Sequence, residues 1–216
     1  MSALTILFDF KSPHAYLALA PTLAMLDELS VTADWQPLLV APQQRPEQPD
    51  QADDRGAAHR WHRACYRLMD LRRYAAVQKF GEDCFSDARL FDCGPGRVAA
   101  AGYLWGQQRF PQSQSGLLTG LFERFWQGEL DINSIAQVDQ AMTELAKADT
   151  GFADNAQLAL TQLDVQQSTL QEAGMFDVPG YLVDDNLYYG RQHLPVVRWL
   201  LQGAQGHPPA WGKYDS

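Results

Sequence analysis

Apolar positions along the chain change period twice, and the changes outline a fold. Residues 4–10 (Leu-Thr-Ile-Leu-Phe-Asp-Phe) form a nearly continuous apolar run of strand length, the pattern of a strand buried on both faces. Residues 13–29 then carry Leu and Ala at helical spacing, with Ser12 at the N-cap and Pro13 at the first helical position, both favourable for a helix start. A second strand is expected over 31–39. From 42 to 56 the chain is rich in Pro, Gln and Asp without apolar periodicity and reads as a long loop. Helical periodicity fills the middle, over 57–80, 97–109, 116–127, 135–147 and 152–173, with no comparable strand signal between these segments. Near the end, Val178-Pro179-Gly180 leads into two short apolar runs, 181–183 and 187–189, broken by Asp184-Asp185-Asn186. This is a hairpin pattern. A last helix follows over 194–201.

The order strand, helix, long helical middle, proline-hairpin and helix is that of a thioredoxin frame, which predicts an α/β thioredoxin-like fold with a large all-helical insertion. The frame would comprise residues 1–41 and 175–216, and the insertion residues 42–174. In a redox member of that fold, Cys-x-x-Cys opens the first helix, where the helix dipole and free N–H groups lower a thiol pKa. Here the same place reads Ser12-Pro13-His14-Ala15. Neither sulfur is present, which argues against disulfide exchange. A serine hydroxyl there can instead donate to a thiolate or another anion at the helix N-terminus. Taken alone, Ser-Pro is also an ordinary helix start, and Val178-Pro179-Gly180 an ordinary type II turn.

Three stretches carry a resemblance: Phe8-Asp9-Phe10-Lys11-Ser12-Pro13-His14-Ala15-Tyr16-Leu17, Val178-Pro179, and Leu187-Tyr188-Tyr189-Gly190, with a weaker echo in Tyr66, Asp70, Arg73 and Ala75. Together they resemble the kappa-class glutathione transferase and 2-hydroxychromene-2-carboxylate isomerase family of the DsbA-like thioredoxin superfamily. The resemblance implies that Ser12 stabilises the thiolate of glutathione as the catalytic residue and that Pro179 is a cis-proline opposite it. The Val178 backbone would pair with the cofactor as a strand edge does. It implies a glutathione-dependent isomerase or transferase acting on a small electrophilic substrate, apolar or aromatic, and a homodimer. Family members often place Asp two residues after the hairpin glycine, to meet the glutamyl ammonium. This chain reads Gly190-Arg191-Gln192. Gln192 offers a hydrogen bond without opposite charge, whereas Arg191 would repel the ammonium but hold a carboxylate bidentately. The alternatives are a DsbA-like oxidoreductase relative lacking the dithiol and a non-catalytic thioredoxin-fold binding protein.

Composition narrows the partners. With 17 Lys and Arg against 26 Asp and Glu in 216 residues, the net charge of −9 disfavours nucleic acid and anionic membranes and leaves a small molecule as the expected partner. No basic or cleavable leader precedes the first strand, so a cytoplasmic setting is expected. Cys65, Cys84 and Cys93 lack paired spacing and read as free thiols. His59, His62 and Cys65 follow i, i+3 spacing, but nothing completes a ligand set, and no metal is expected. His14 lies where an imidazole could serve as acid or base near neutral pH, and Lys11 adds a charge beside it. Pro13, His14 and Tyr66 are the candidate substrate-contacting residues. Arg60, Arg63 and Arg67 share a helical face at i, i+3 and i+7. They form either an anion-binding wall or a solvated face balancing Glu47, Asp50, Asp53 and Asp54.

Overall fold

A computed structural model describes residues 4–48, 55–81 and 83–209. The acidic residues Asp50, Asp53 and Asp54 lie outside these. Strand β1 (Leu4–Phe8) leads into helix α1 (Pro13–Leu29) and strand β2 (Asp34–Pro37). Helices α2 (Arg55–Val77), α3 (Asp87–Phe91), α4 (Arg97–Arg109), α5 (Gln114–Gln127), α6 (Ile135–Ala146) and α7 (Phe152–Glu172) follow. The hairpin β3 (Gly180–Val183) and β4 (Asn186–Tyr189) and helix α8 (Leu194–Leu201) close the order. The sheet runs β2-β1-β3-β4, with β1 parallel to β2 and antiparallel to β3.

The elements differ from the expected ones where local chemistry intervenes. β1 ends at Phe8 rather than residue 10 because the Asp9 carbonyl turns back to accept the Ser12 N–H at 2.9 Å and starts α1. β2 is confined to four residues between the left-handed Ser30 cap of α1 and Pro37, which has no N–H to extend the ladder. α2 is already helical at Arg55, two residues before the expected start, and ends at Val77, after which Lys79 turns left-handed and the Phe80 N–H reaches the Ala75 carbonyl at 3.0 Å. This is a Schellman closure. The five-residue α3, with Ser86 at its N-cap position, was not expected, since one turn shows no period.

The sheet and the inserted helices share one apolar cluster. Phe8 and Phe10 of the β1 end meet Tyr103 of α4 and Phe122 of α5 with ring centroids 5.2 and 4.8 Å apart. Tyr16 of α1 stacks on Trp126 at 5.7 Å, and the Trp126 indole N–H donates to the Phe10 carbonyl at 3.0 Å. The turn between β1 and α1 is therefore fixed by the insertion. Pro21 inside α1 cannot donate to the Leu17 carbonyl, and that orphaned acceptor receives the side-chain N–H of Gln78, just past α2, at 2.9 Å. Among the described residues no helix is long and apolar enough to cross a membrane, and Cys65, Cys84 and Cys93 are free thiols.

Candidate active site

Residue chemistry converges at the N-terminus of α1. Ser12 is the N-cap, and its Oγ accepts the Ala15 N–H at 3.2 Å while its carbonyl accepts the Tyr16 N–H at 3.0 Å. The hydroxyl proton has no acceptor among the described residues and remains available to a ligand. Pro13 has no N–H, so the His14 amide is the one first-turn donor left over at the positive end of the helix. Ser12 is 7% exposed, which strengthens any hydrogen bond to an anion held there.

Beneath this turn lies a buried ion pair. Asp9 accepts from the Lys11 ammonium, from the Lys11 N–H at 3.2 Å and from the Val40 N–H at 3.0 Å. Burial pushes the Asp9 carboxyl up, opposed by the Lys11 charge and these hydrogen bonds. The pair ties the β1 end, the α1 start and the segment after β2 into one unit.

Ser12, Pro13 and His14 line a cleft of about 740 Å³ together with Val178, Pro179, Arg191 and Gln192. The fold thus brings together residues more than 160 positions apart in the chain. The Val178–Pro179 bond is cis, as the resemblance implied and unlike a type II turn. The Val178 N–H is held by Asp177 Oδ1 at 2.8 Å, so a ligand pairing with that backbone must displace an exposed carboxylate. Arg191 stands over the Tyr74 ring with its guanidinium carbon 3.3 Å from the centroid, and its Nη2 lies 3.4 Å from Asp70 Oδ2. Its Nη1 is buried without a hydrogen-bond partner among the described residues, a donor facing no acceptor. Gln192 folds back over Gly190 and donates to the Tyr189 carbonyl at 3.1 Å, leaving its amide oxygen as the free end. Tyr66 does not line the cleft; it sits on the outer side of α2, 57% exposed.

Burial and the Arg191 guanidinium hold the His14 imidazole below its ordinary range, partly offset by Asp177. It is therefore neutral at pH 7 and able to accept a proton. Cys93 also lines the cleft, but burial pushes its thiol up, against the pull of Lys11. That makes it a poor nucleophile at neutral pH. Among the described residues no group of three or more His, Cys, Asp or Glu is placed to hold a metal ion.

Several lining residues escaped the sequence. Asp177 was adjacent to a motif and could have been included on that ground. Asp70 belonged to the weaker echo, but its contact with Arg191, 121 residues away, has no local signal, and Cys93, read only as a free thiol, reaches the cleft through the fold.

The architecture is a thioredoxin-like fold with a large helical insertion, and solved structures agree on that fold. A 2-hydroxychromene-2-carboxylate isomerase superposes with a TM-score of 0.64 at 17% identity, over 94% of this chain and 93% of that one. A probable DsbA oxidoreductase from Streptomyces coelicolor superposes with a TM-score of 0.60 at 15% identity, over 97% and 93%. No protein-family model matches the sequence, and no curated protein matches it by sequence.

Proposed function

We propose that this chain is an enzyme that binds glutathione with its sulfur at Ser12 and uses the thiolate on a small electrophilic substrate, by isomerisation or transfer. The observation that carries the reading is the unspent Ser12 hydroxyl proton at the positive end of α1, across one cleft from Val178 and Pro179. The thiolate adds to an electrophilic carbon, forming a C–S bond. In transfer that bond stays and the substrate takes up a proton; in isomerisation a bond rotation follows, the C–S bond breaks and the thiolate returns. Neutral His14 is the group placed to accept and return the proton. Arg191, with its unsatisfied Nη1, suits a carboxylate of the cofactor. The ammonium end falls to Asp177, a cleft carboxylate without a cation partner among the described residues, rather than to Gln192. The isomerase likeness supports this reading, as does the absence of sulfur at positions 12 and 15, which opposes the oxidoreductase alternative. The exposed Met69 and Val77 on α2 suit the expected homodimer contact.

The test is calorimetric titration of reduced glutathione into wild-type protein and Ser12→Ala, with the thiolate absorbance followed across pH. A hydrogen bond to a charged group contributes about 1.5–3 kcal/mol, so the bound thiol pKa should rise by about 1–2 units in the variant. Absence of binding by the folded wild-type protein would overturn the reading in favour of a non-catalytic role.

A further inference from the structure

The cleft reverses the sign of the protein around it. On a chain of net charge −9, its lining includes Lys11, Arg60, Arg63, Arg67 and Arg191 against only Asp70 and Asp177. Lys11 is committed to Asp9, and Arg191 meets Asp70 through Nη2 while its Nη1 is the donor assigned above to a cofactor carboxylate. Arg60, Arg63 and Arg67 are not committed: among the described residues no carboxylate pairs with them, Glu47 of the preceding segment included. The next acid on the same stripe, Asp70, is met by Arg191 instead, and these three arginines share one face that lines the Ser12 cleft. At 1.5 Å per residue they span about 10 Å along α2. One carboxylate needs a single guanidinium for bidentate pairing, so three in a row suit a ligand with more than one negative group.

We propose that Arg60, Arg63 and Arg67 form a subsite for a multiply charged oxyanion, carried by the electrophilic substrate whose reacting end meets the thiolate at Ser12. The placement of that reacting end rests on the glutathione reading above, and the arginine subsite does not. Phosphate esters and polycarboxylates share the chemistry this face recognises.

Calorimetry with the full chain separates them, using pyrophosphate and tricarballylate as probes and acetate as the singly charged reference, at low and at physiological salt. At least one polyanion should bind more tightly than acetate and weaken with salt, and the tighter of the two identifies the source. Arg60→Gln/Arg63→Gln/Arg67→Gln should lose at least about tenfold in affinity for it. Arg72→Gln/Arg73→Gln removes charge from the other side of α2, where those residues line a separate surface hollow with Met69. It should leave binding unchanged. Glutamine keeps good helix propensity, and far-UV circular dichroism verifies that α2 persists. Ser12→Ala should retain polyanion binding, so loss of the thiol site and loss of this subsite are read separately. Failure of both polyanions to outbind acetate, or an equal fall in the two arginine variants, would overturn the proposal.

Discussion

The two helices that flank the cleft are built to opposite specifications. α1 buries nine of its seventeen residues, holds its N-cap by a side-chain bond and is pinned by Trp126 through the preceding turn. α2 is longer, at twenty-three residues, yet buries only Leu71 and Ala75. It leaves Tyr66, Met69, Tyr74 and Val77 exposed. α1 therefore supplies position: a hydroxyl and an amide held in place by the core. α2 supplies charge: long cationic side chains on a helix with little to anchor it. A thiol-stabilising group has to be rigid to be preorganised, whereas a wall that meets ligands of varied length gains from side chains that can follow them.

The contrast is sharpest in the ion pair beneath α1. Asp9→Asn should destabilise the protein by about 3–5 kcal/mol, because it leaves the 5%-exposed Lys11 buried without its counter-charge. Urea unfolding measures this. Replacing both partners, as Asp9→Leu/Lys11→Met, should recover much of the loss. A cost below about 1 kcal/mol for the single change would mean that the α1 start does not depend on the pair.

Core substitutions give the next largest difference. Leu17 of α1 is fully buried, and Leu17→Ala should cost about 2–5 kcal/mol. Val77 at the end of α2 is 78% exposed, and Val77→Ala should stay within about 0.5 kcal/mol of wild type. Comparable costs at the two sites would erase the distinction between the helices. Native-state hydrogen exchange tests the same point without mutation. Amides in the first half of α2 should open at far lower free energy than those of α1, with protection in α2 rising only around Leu71 and Ala75.

The legibility of the two helices differed in the same way. Ser12, Pro13 and the Leu- and Ala-rich run that follows are local signals, and α1 was readable to the residue. So were α4 and α8, whose apolar periods coincide with their ends. The arginine face of α2 was visible as a period, but not its direction, because that is decided by contacts such as Arg191 on Tyr74 and Asp70 that bridge more than a hundred residues. The Asp9–Lys11 pair was hidden for another reason. An i, i+2 pair in a short turn looks like ordinary surface charge until β1, α1 and the segment after β2 close over it.

His14 tests the smallest effect and joins the two walls, since it sits on α1 and feels Arg191, Asp177 and, from α2, Arg67 and Asp70. Burial and the arginines lower its folded-state pKa, so between that value and the unfolded value near 6.5 the unfolded chain binds the extra proton. Linkage then makes stability rise with pH across that window. Above about pH 6.5 the imidazole is neutral in both states and contributes no slope; below it, protonation costs about 1.4 kcal/mol for each unit of depression until the folded group also titrates. Wild type should therefore lose stability faster than His14→Gln as the pH falls from 7 toward 5, measured as urea midpoints at constant ionic strength. Arg67→Gln should flatten the slope slightly, because it removes one of the charges that oppose protonation. Parallel curves for wild type and His14→Gln would show that His14 is solvated rather than enclosed, and the rigid wall would then end at Ser12.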